Sequence, residues 1–575
     1  MTRIKSLFAS ALLAATVAVV PVANAQTVHF VGAGSSAQWQ AFALAAFNDL
    51  ATPLGNAGHW TAKGKTTAGN PVAFLADPRN SQTNPIPNEP GNIWIVWGGG
   101  GGGTPTDVWT DLSVDSVVGN RAFFAAAGTK TAPVYGATVN VDASLNGTAG
   151  QNAIAAILWA DNANDGVLPN SVFTAVTGKH VNVALTDIRP EDAQYATKRA
   201  LTAFNALSLA GLGYNHGPNA HIGNPILSSQ AGSSAKATPV AFSLHGTDPI
   251  SRITVRGNTT IPVGAAPIVF FINNNGGTFP ATNAVTFKKV GTKNTYPLAN
   301  VFDGTDCSSG AVAFGGSGNS GTAITAILRE PLSGTMNTTE FTTFRRKLNA
   351  KDSQEKGITD TTAAPFNPLS LACSGSVGGS RSRAIGTGEE INGATGGGVK
   401  GTANSIGYAF FGYGNFSKLA GLATYNYLTL DGVDPINNTY TTGLLPACPG
   451  PCAATPGASF PHLRDGSYSA WSLYRAVADP ADPQLANIQA LVQKAQDDVN
   501  STIPDFVPFH TTDNSDGLDV YRSHYLQSTI AGNNGALSTS LQGNTLGGTT
   551  EAGGDMGGCI EKNPAGPPGV LNCKQ

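Results

Sequence analysis

Arg329, Ser333, Gly334 and Thr335 are the residues whose types and spacing point most directly to chemistry. A guanidinium offers a charged planar fork of N–H donors, two hydroxyls add donors, and the glycine between them lets an anion approach the backbone. Such a set can hold a tetrahedral oxyanion. A helix starting at this Ser-Gly-Thr would add unpaired N–H groups and a partial positive charge. Asp187 is a second candidate, an acceptor suited to a ligand that still carries a proton. Its structural alternatives are to cap the following helix or to pair with Arg189. Ser36 and Ala37, which follow the glycines of GAGSSA at 32–37, form a third group.

The flanking pattern says how these residues would be placed. The apolar, β-branched run 323–328 suits one buried strand that delivers Arg329 to its carboxyl end. Beyond the turn at 330–332, Phe341, Phe344 and Leu348 recur at helical spacing, and Asn337 with Glu340 has the form of a capping box. A helix is therefore expected to open between 333 and 338. Residues 27–31 alternate as a strand, and Trp39, Phe42, Ala43, Ala46, Phe47 and Leu50 form a helical face after GAGSSA. Those letters also match a dinucleotide fingerprint, which needs an acid about 20 residues on. The stretch 58–65 offers none. A strand at 181–185 leads to Asp187, and Pro190 followed by two acids opens a helix to about residue 204.

Elsewhere, 59–63 and 93–97 read as strands, and the glycine run 98–103 as a surface loop without the Lys-Ser/Thr of a phosphate-binding P-loop. Residues 109–124 show no decisive period. Residues 152–159 read as helix or strand, and 239–244 as a possible strand. The apolar run 261–273 is a candidate crossover between lobes, 405–411 a strand, and 469–477 and 484–499 helices.

Composition narrows the class. The 575 residues exceed one hydrophobic core, and 70 glycines with 12% charged residues favour a turn-rich β or α/β chain. A net charge of −3 supplies no basic field for nucleic acid or a membrane surface, so a bound anion needs a local pocket. Arg3 and Lys5, the apolar segment 7–20 and Ala23-Asn24-Ala25 have the form of a cleavable signal peptide over 1–25. No Cys follows that site to take a lipid anchor, and the expected place is periplasmic or secreted. Six Cys suit an oxidising compartment. Sequence proximity alone suggests the pairs 307 with 373, 448 with 452, and 559 with 573.

Several separated stretches resemble the periplasmic phosphate-binding proteins of ABC transporters, members of the type II periplasmic-binding-protein superfamily. GAGSS is similar to their first anion loop and TDIRPED at 186–192 to their Ser-Asp-x-Pro segment. VGAAPIVFFINNNGG at 263–277 is similar to their crossover strand, REPLSGT at 329–335 to their Arg-x-x-x-Ser-Gly-Thr loop, and NSIGYAFF at 404–411 to their return strand. The resemblance implies a two-lobed α/β fold, each lobe a mixed sheet flanked by helices, here with long loop insertions. Its implied boundaries are lobe I over 26–265, lobe II over 266–411, and a lobe I return with a Gly/Ser-rich tail over 412–575. It makes Arg329, Ser333, Gly334 and Thr335 one jaw of the site and Ser36, Ala37 and Asp187 the other. In that family the acid at the Asp187 position accepts a proton from bound phosphate. Three departures are visible: Pro331 stands where the family has an acid, Ser36-Ala37 replaces a hydroxyl-aromatic pair, and the family's middle Ser loop has no evident counterpart.

The expected function is therefore an exported solute-binding protein that closes on a tetrahedral oxyanion, phosphate first, for an ABC-type permease. No enzymatic step, cofactor, metal or nucleic acid is expected, and the chain is expected to be a monomer. Arg329 is expected to face the ligand rather than a protein carboxylate, so that its replacement by Ala would leave the fold intact. Two jaws are needed on energetic grounds. Micromolar affinity requires about 8 kcal/mol net, association costs roughly 4 kcal/mol or more, and a charge-assisted hydrogen bond returns about 1.5–3 kcal/mol. The alternatives are a surface or structural protein that keeps the fold without transport, and a secreted hydrolase. The hydrolase lacks support: there is no G-x-S-x-G or H-E-x-x-H, and the nine His are scattered, His216 and His221 being the closest pair.

Overall fold

The computed structural model describes residues 26–572 with breaks, the main ones at 152–158, 195–241 (one pair of two-residue strands excepted), 286–296, 345–370, 437–458, 510–517 and 523–559. The signal-peptide segment 1–25, His216, His221, Cys448, Cys452, Cys559 and Cys573 lie outside the described residues, as does the expected helix beyond 194.

The elements that position the site are, in chain order, β1 (Thr27–Ser35), α1 (Trp39–Ala45), β2 (Gly58–Ala62), β3 (Asn92–Gly98), β4 (Asp107–Val114), α2 (Ser116–Phe124), β5 (Val183–Thr186) and β6 (Thr259–Asn273). They continue as β7 (Thr325–Arg329), α3 (Gly334–Thr339), β8 (Leu371–Ala372), β9 (Ser380–Ala384), α4 (Gly386–Asn392) and β10 (Ser405–Phe410). The last are β11 (Tyr425–Leu430), β12 (Trp471–Ala478) and α5 (Leu485–Ser501). The strands form one mixed sheet in the order β2-β3-β4-β1-β5-β12-β6-β10-β7-β9-β8, with helices against it. The fold is α/β, as expected. Among the described residues, no helix is long and apolar enough to cross a membrane.

The sheet has two halves because β6 is long enough to belong to both. Its 15 residues span about 50 Å at the rise of an extended chain. Residues 259–267 pair antiparallel with β12, and 268–273 with β10. In the first half, β1 runs parallel to both β4 and β5; in the second, β7 runs parallel to β9 and β10. Strand β11 pairs with 270–273 of β6 and so sits with the second half, although it follows the expected lobe boundary at 411. Helix α5 supplies Ile488, Leu491 and Val492 to the core that holds Phe30, Phe42 and Trp94 of the first half and Phe270 and Tyr408 of the second.

Three expectations are corrected. The expected helix over 469–477 is instead a strand over its described part: Trp471–Ala478 is extended, with every residue buried. It lies between β5 and β6 with both faces covered, so apolar residues fall on both sides and the period-2 signal vanishes. Residues 242–244 of the run 239–244 carry no strand. The capping box at Asn337 is not formed either. Asn337 lies within α3 and donates to the Ser333 carbonyl at 2.7 Å, while Ser333 Oγ accepts from the Met336 N–H at 3.3 Å. The glycine run turns through left-handed Gly99, Gly100 and Gly101. The dinucleotide reading also fails on topology: β2, the strand after α1, pairs antiparallel with β3 at the sheet edge rather than parallel to β1. A disulfide joins Cys307 to Cys373, and no described Cys is free.

Candidate functional site

Strands β1 and β5 of the first half and β7 of the second, which runs the opposite way through the shared sheet, bring their carboxyl ends to the same cleft. Strand β1 runs into Ser35, whose hydroxyl accepts from the Ala37 N–H at 3.3 Å. Strand β5 ends at Thr186. Gln38 Nε2 donates to the Thr186 carbonyl at 3.0 Å, and Ser472 Oγ of β12 donates to the Asp187 carbonyl at 2.5 Å. Asp187 is thus held from β12 as well as from the end of its own strand. Strand β7 delivers Arg329, and α3 opens at Gly334.

The structure brings all the sequence-derived candidates together. Ser36, Ala37 and Asp187 from the first half and Arg329, Ser333, Gly334 and Thr335 from the second line one cavity of about 10 Å³. Its glycine is a matter of close approach: a Cβ on Gly334 would overlap Asp187 Oδ1. The two jaws are therefore shut against each other.

The cavity also has walls that the sequence pattern did not single out. Asp115, Ser116 and Thr387 line it too. Ser116 is the first residue of α2, immediately after β4. Its hydroxyl is hydrogen bonded to Asp187 Oδ1, and the Asp187 N–H donates to Ser116 Oγ at 3.3 Å. Ser116 thus supplies a hydroxyl to the cavity from a strand-to-helix junction. The usable signal was Asp115-Ser116, an N-cap-type pair after the strand. The helical period after it was hidden because all nine residues of α2 are buried. Thr387 stands in the first turn of α4 and accepts from Arg329 Nη1 at 2.9 Å.

Arg329 does not face a ligand alone, contrary to the sequence expectation. It is 2% exposed. Its Nη2 meets Asp115 Oδ1 at 3.2 Å across the cleft, and its Nε meets Glu390 Oε2 at 3.5 Å. Asp115 has extended N-cap geometry at the head of α2 but makes no side-chain cap hydrogen bond, because its carboxylate is turned toward the guanidinium. Glu390 is fully buried, and its Oε1 accepts from the Tyr408 N–H at 2.8 Å. Gly407 makes that approach possible, since a Cβ there would sit 3.1 Å from Glu390 Oε1 and 2.6 Å from Val399 Cγ2. The carboxylates beside the Arg come from α4 and from the first half, rather than from position 331. Arg189 pairs with Asp192 at 2.9 Å through both Nε and Nη2.

In chemical terms the cavity presents a fixed guanidinium, hydroxyls at Ser36, Ser116, Ser333, Thr335 and Thr387, and a carboxylate acceptor at Asp187. That inventory suits a small polar ligand that both accepts and donates hydrogen bonds. Among the described residues, no group of three or more His, Cys, Asp or Glu is placed to hold a metal ion.

Fold and site together define an α/β protein of two halves joined through the long shared strand β6, with a polar cavity between them. No family model matches the chain, and no curated protein matches it. Solved structures that it matches include a phosphate-binding protein from Stenotrophomonas maltophilia, 14% identical over 68% of this chain and 77% of the other, with a TM-score of 0.29. Another is the ancestral soluble variant of the human phosphate binding protein, 13% identical over 83% of this chain and 90% of the other, with a TM-score of 0.29. A third is PstS from Borrelia burgdorferi, 16% identical over 42% of this chain and 70% of the other, with a TM-score of 0.24. Identities and TM-scores this low leave ligand and partner to the geometry of the site.

Proposed function

We propose that this protein is an exported solute-binding protein that closes its two halves on a tetrahedral oxyanion, phosphate above all, and passes it unchanged to an ABC-type permease. The observation that supports this is the single cavity in which Arg329, Ser333, Gly334 and Thr335 from one half meet Ser36, Ala37, Asp187 and Ser116 from the other. At about 10 Å³ it has room for about one water. An anion would therefore enter only when the halves part and would be enclosed when they meet again. The long strand β6, which pairs in both halves, is suited to carry that motion.

Asp187 gives the reading its selectivity. An ionised carboxylate only accepts hydrogen bonds, so it favours hydrogen phosphate or arsenate and repels sulfate, which has no proton near neutral pH. The second reading, a surface or structural protein that keeps the fold without the binding role, is favoured by one observation. Arg329 already has Asp115 and Glu390 as partners, so an anion must compete for the guanidinium.

Equilibrium dialysis of the mature chain with radiolabelled phosphate separates the two. The transport reading expects micromolar retention, competition by arsenate and none by sulfate. No retention, or equal competition by sulfate, rejects it.

A further inference from the structure

A second cavity lies beside the first and is far larger, about 390 Å³. It too is built from both halves: Lys63, Lys65 and Glu89 come from the first, and Glu389, Asn415 and Lys418 from the second. Ser36, Val114, Asp115 and Thr387 line both cavities. Ser36 Oγ donates to Thr387 Oγ1 at 3.4 Å, so one hydroxyl pair bridges the cleft where the two spaces meet. Pockets of about 300–1,000 Å³ are the size that takes small organic ligands, whereas a site for inorganic phosphate alone needs no such annex.

The charges on its wall are unequal. Glu89 faces Arg121 at 2.8 Å, and Asp115 faces Arg329 at 3.2 Å, so each of those carboxylates already has a cation. The remaining charged groups on the wall are Lys63, Lys65 and Lys418 against Glu389. Burial pushes the Lys65 and Lys418 ammonium groups down from their ordinary values, with Glu89 and Glu389 opposing this at Lys65 and Lys400 reinforcing it at Lys418. Two partly buried cations on a wall with surplus positive charge are best compensated by a bound anion.

We propose that the ligand is an extended one, a phosphate ester or anhydride whose phosphoryl group sits in the small cavity and whose second anionic group lies in the large one, facing Lys65 and Lys418. The inference rests on the oxyanion reading of the small cavity and names the class of ligand that would fill both spaces. The Ser36–Thr387 bridge marks where the linking oxygen passes, and a ligand occupying both spaces displaces that hydrogen bond. A neutral tail of the same length would fit the space and leave the lysines uncompensated. Charge on the tail, rather than its volume, is what the large cavity selects.

Titration calorimetry of the full chain with inorganic phosphate, pyrophosphate and glycerol 1-phosphate tests this. Pyrophosphate is expected to bind about tenfold tighter than phosphate or better, a difference of about 1.4 kcal/mol. Glycerol 1-phosphate is expected to bind no tighter than phosphate. In a Lys65→Gln, Lys418→Gln double variant the pyrophosphate advantage should vanish, with phosphate affinity within about twofold of wild type. Phosphate binding with pyrophosphate excluded, or glycerol 1-phosphate binding as tightly as pyrophosphate, overturns the inference and leaves the oxyanion reading standing. If neither phosphate nor pyrophosphate binds, the oxyanion reading itself falls, and this inference with it.

Discussion

The cleft and the interior of the first half treat a buried carboxylate in opposite ways. At the cleft, Asp187 shares a hydrogen bond with Ser116, Asp115 and Glu390 flank Arg329, and every one of these contacts joins separate elements. Asp111 lies on β4, four residues before Asp115, and is fully buried with no side-chain hydrogen-bond partner; the neighbouring Leu112 N–H is the one group that favours its charge. It stands opposite Gly32 of β1 and Trp94 of β3. Desolvation pushes its carboxyl up to about 8. The cleft keeps its charges by pairing them, and the Arg329–Asp115 pair spans the two halves, so that pair depends on closure. The interior avoids a charge by keeping Asp111 protonated, so its stability depends on pH.

That contrast can be broken or sharpened by substitution. The largest effect is expected at Asp187. With an amide that can donate as well as accept, Asp187→Asn should bind sulfate and phosphate comparably, erasing a discrimination of roughly 10⁴-fold. Competition binding with both anions reads this directly, and unchanged exclusion of sulfate would reduce Asp187 to a structural residue.

Arg329→Ala comes next. It leaves the fully buried Glu390 without its cation, and breaking such a pair costs about 3–5 kcal/mol. Loss of phosphate binding should therefore be accompanied by a lower denaturation midpoint, contrary to the expectation of an intact fold that a ligand-facing arginine would carry. An unaltered midpoint would mean that the Asp115 and Glu390 contacts contribute nothing.

The third effect belongs to the interior. A carboxyl whose folded value lies above its unfolded value holds a proton that the unfolded chain has released. Its stabilising contribution is complete below about pH 4 and is lost as pH rises toward about 8. Across that window the slope from Asp111 is about −1.4 kcal/mol per pH unit. Asp505, pushed up to about 7 by burial, adds a slope of the same sign over a narrower range. Asp111→Asn should remove the first contribution and leave the second. Chemical denaturation at several pH values measures it, and a wild type with flat stability between pH 5 and 8 would contradict the neutral Asp111.

The smallest effect is expected at Gly407→Ala. The added methyl crowds Val399 and Glu390, at an overpacking cost of about 1–3 kcal/mol, and loosens Glu390 from Arg329. Phosphate affinity should fall modestly with stability. Unchanged stability would show that the strand can shift to accommodate it.

How much of this was legible depended on whether a residue's neighbours in sequence were also its neighbours in space. Arg329, Ser333, Gly334 and Thr335 lie within one strand-to-helix turn, so local pattern was enough to gather them. Strand β6 was legible because its apolar run exceeds what one sheet half can use. Strand β12 was not, since burial on both faces erases the alternation that marks a strand, and the same effect hid α2. Asp115, Ser116, Thr387 and Glu390 reach Arg329 or Asp187 from elements distant in sequence. No spacing rule links Asp115 to a guanidinium 214 positions away. The carboxylates beside Arg329 come from two distant places in the chain at once.

The most direct test of the central account is a crystal structure of the mature protein soaked with phosphate. The account predicts a tetrahedral anion in the small cavity, within about 2.7–3.1 Å of the Arg329 guanidinium, the Ser116, Ser333 and Thr335 hydroxyls and the Asp187 carboxylate. It also predicts that the Arg329–Asp115 contact lengthens to admit the anion. Phosphate bound elsewhere, or an Arg329–Asp115 contact unchanged at 3.2 Å with no anion beside it, would contradict the account.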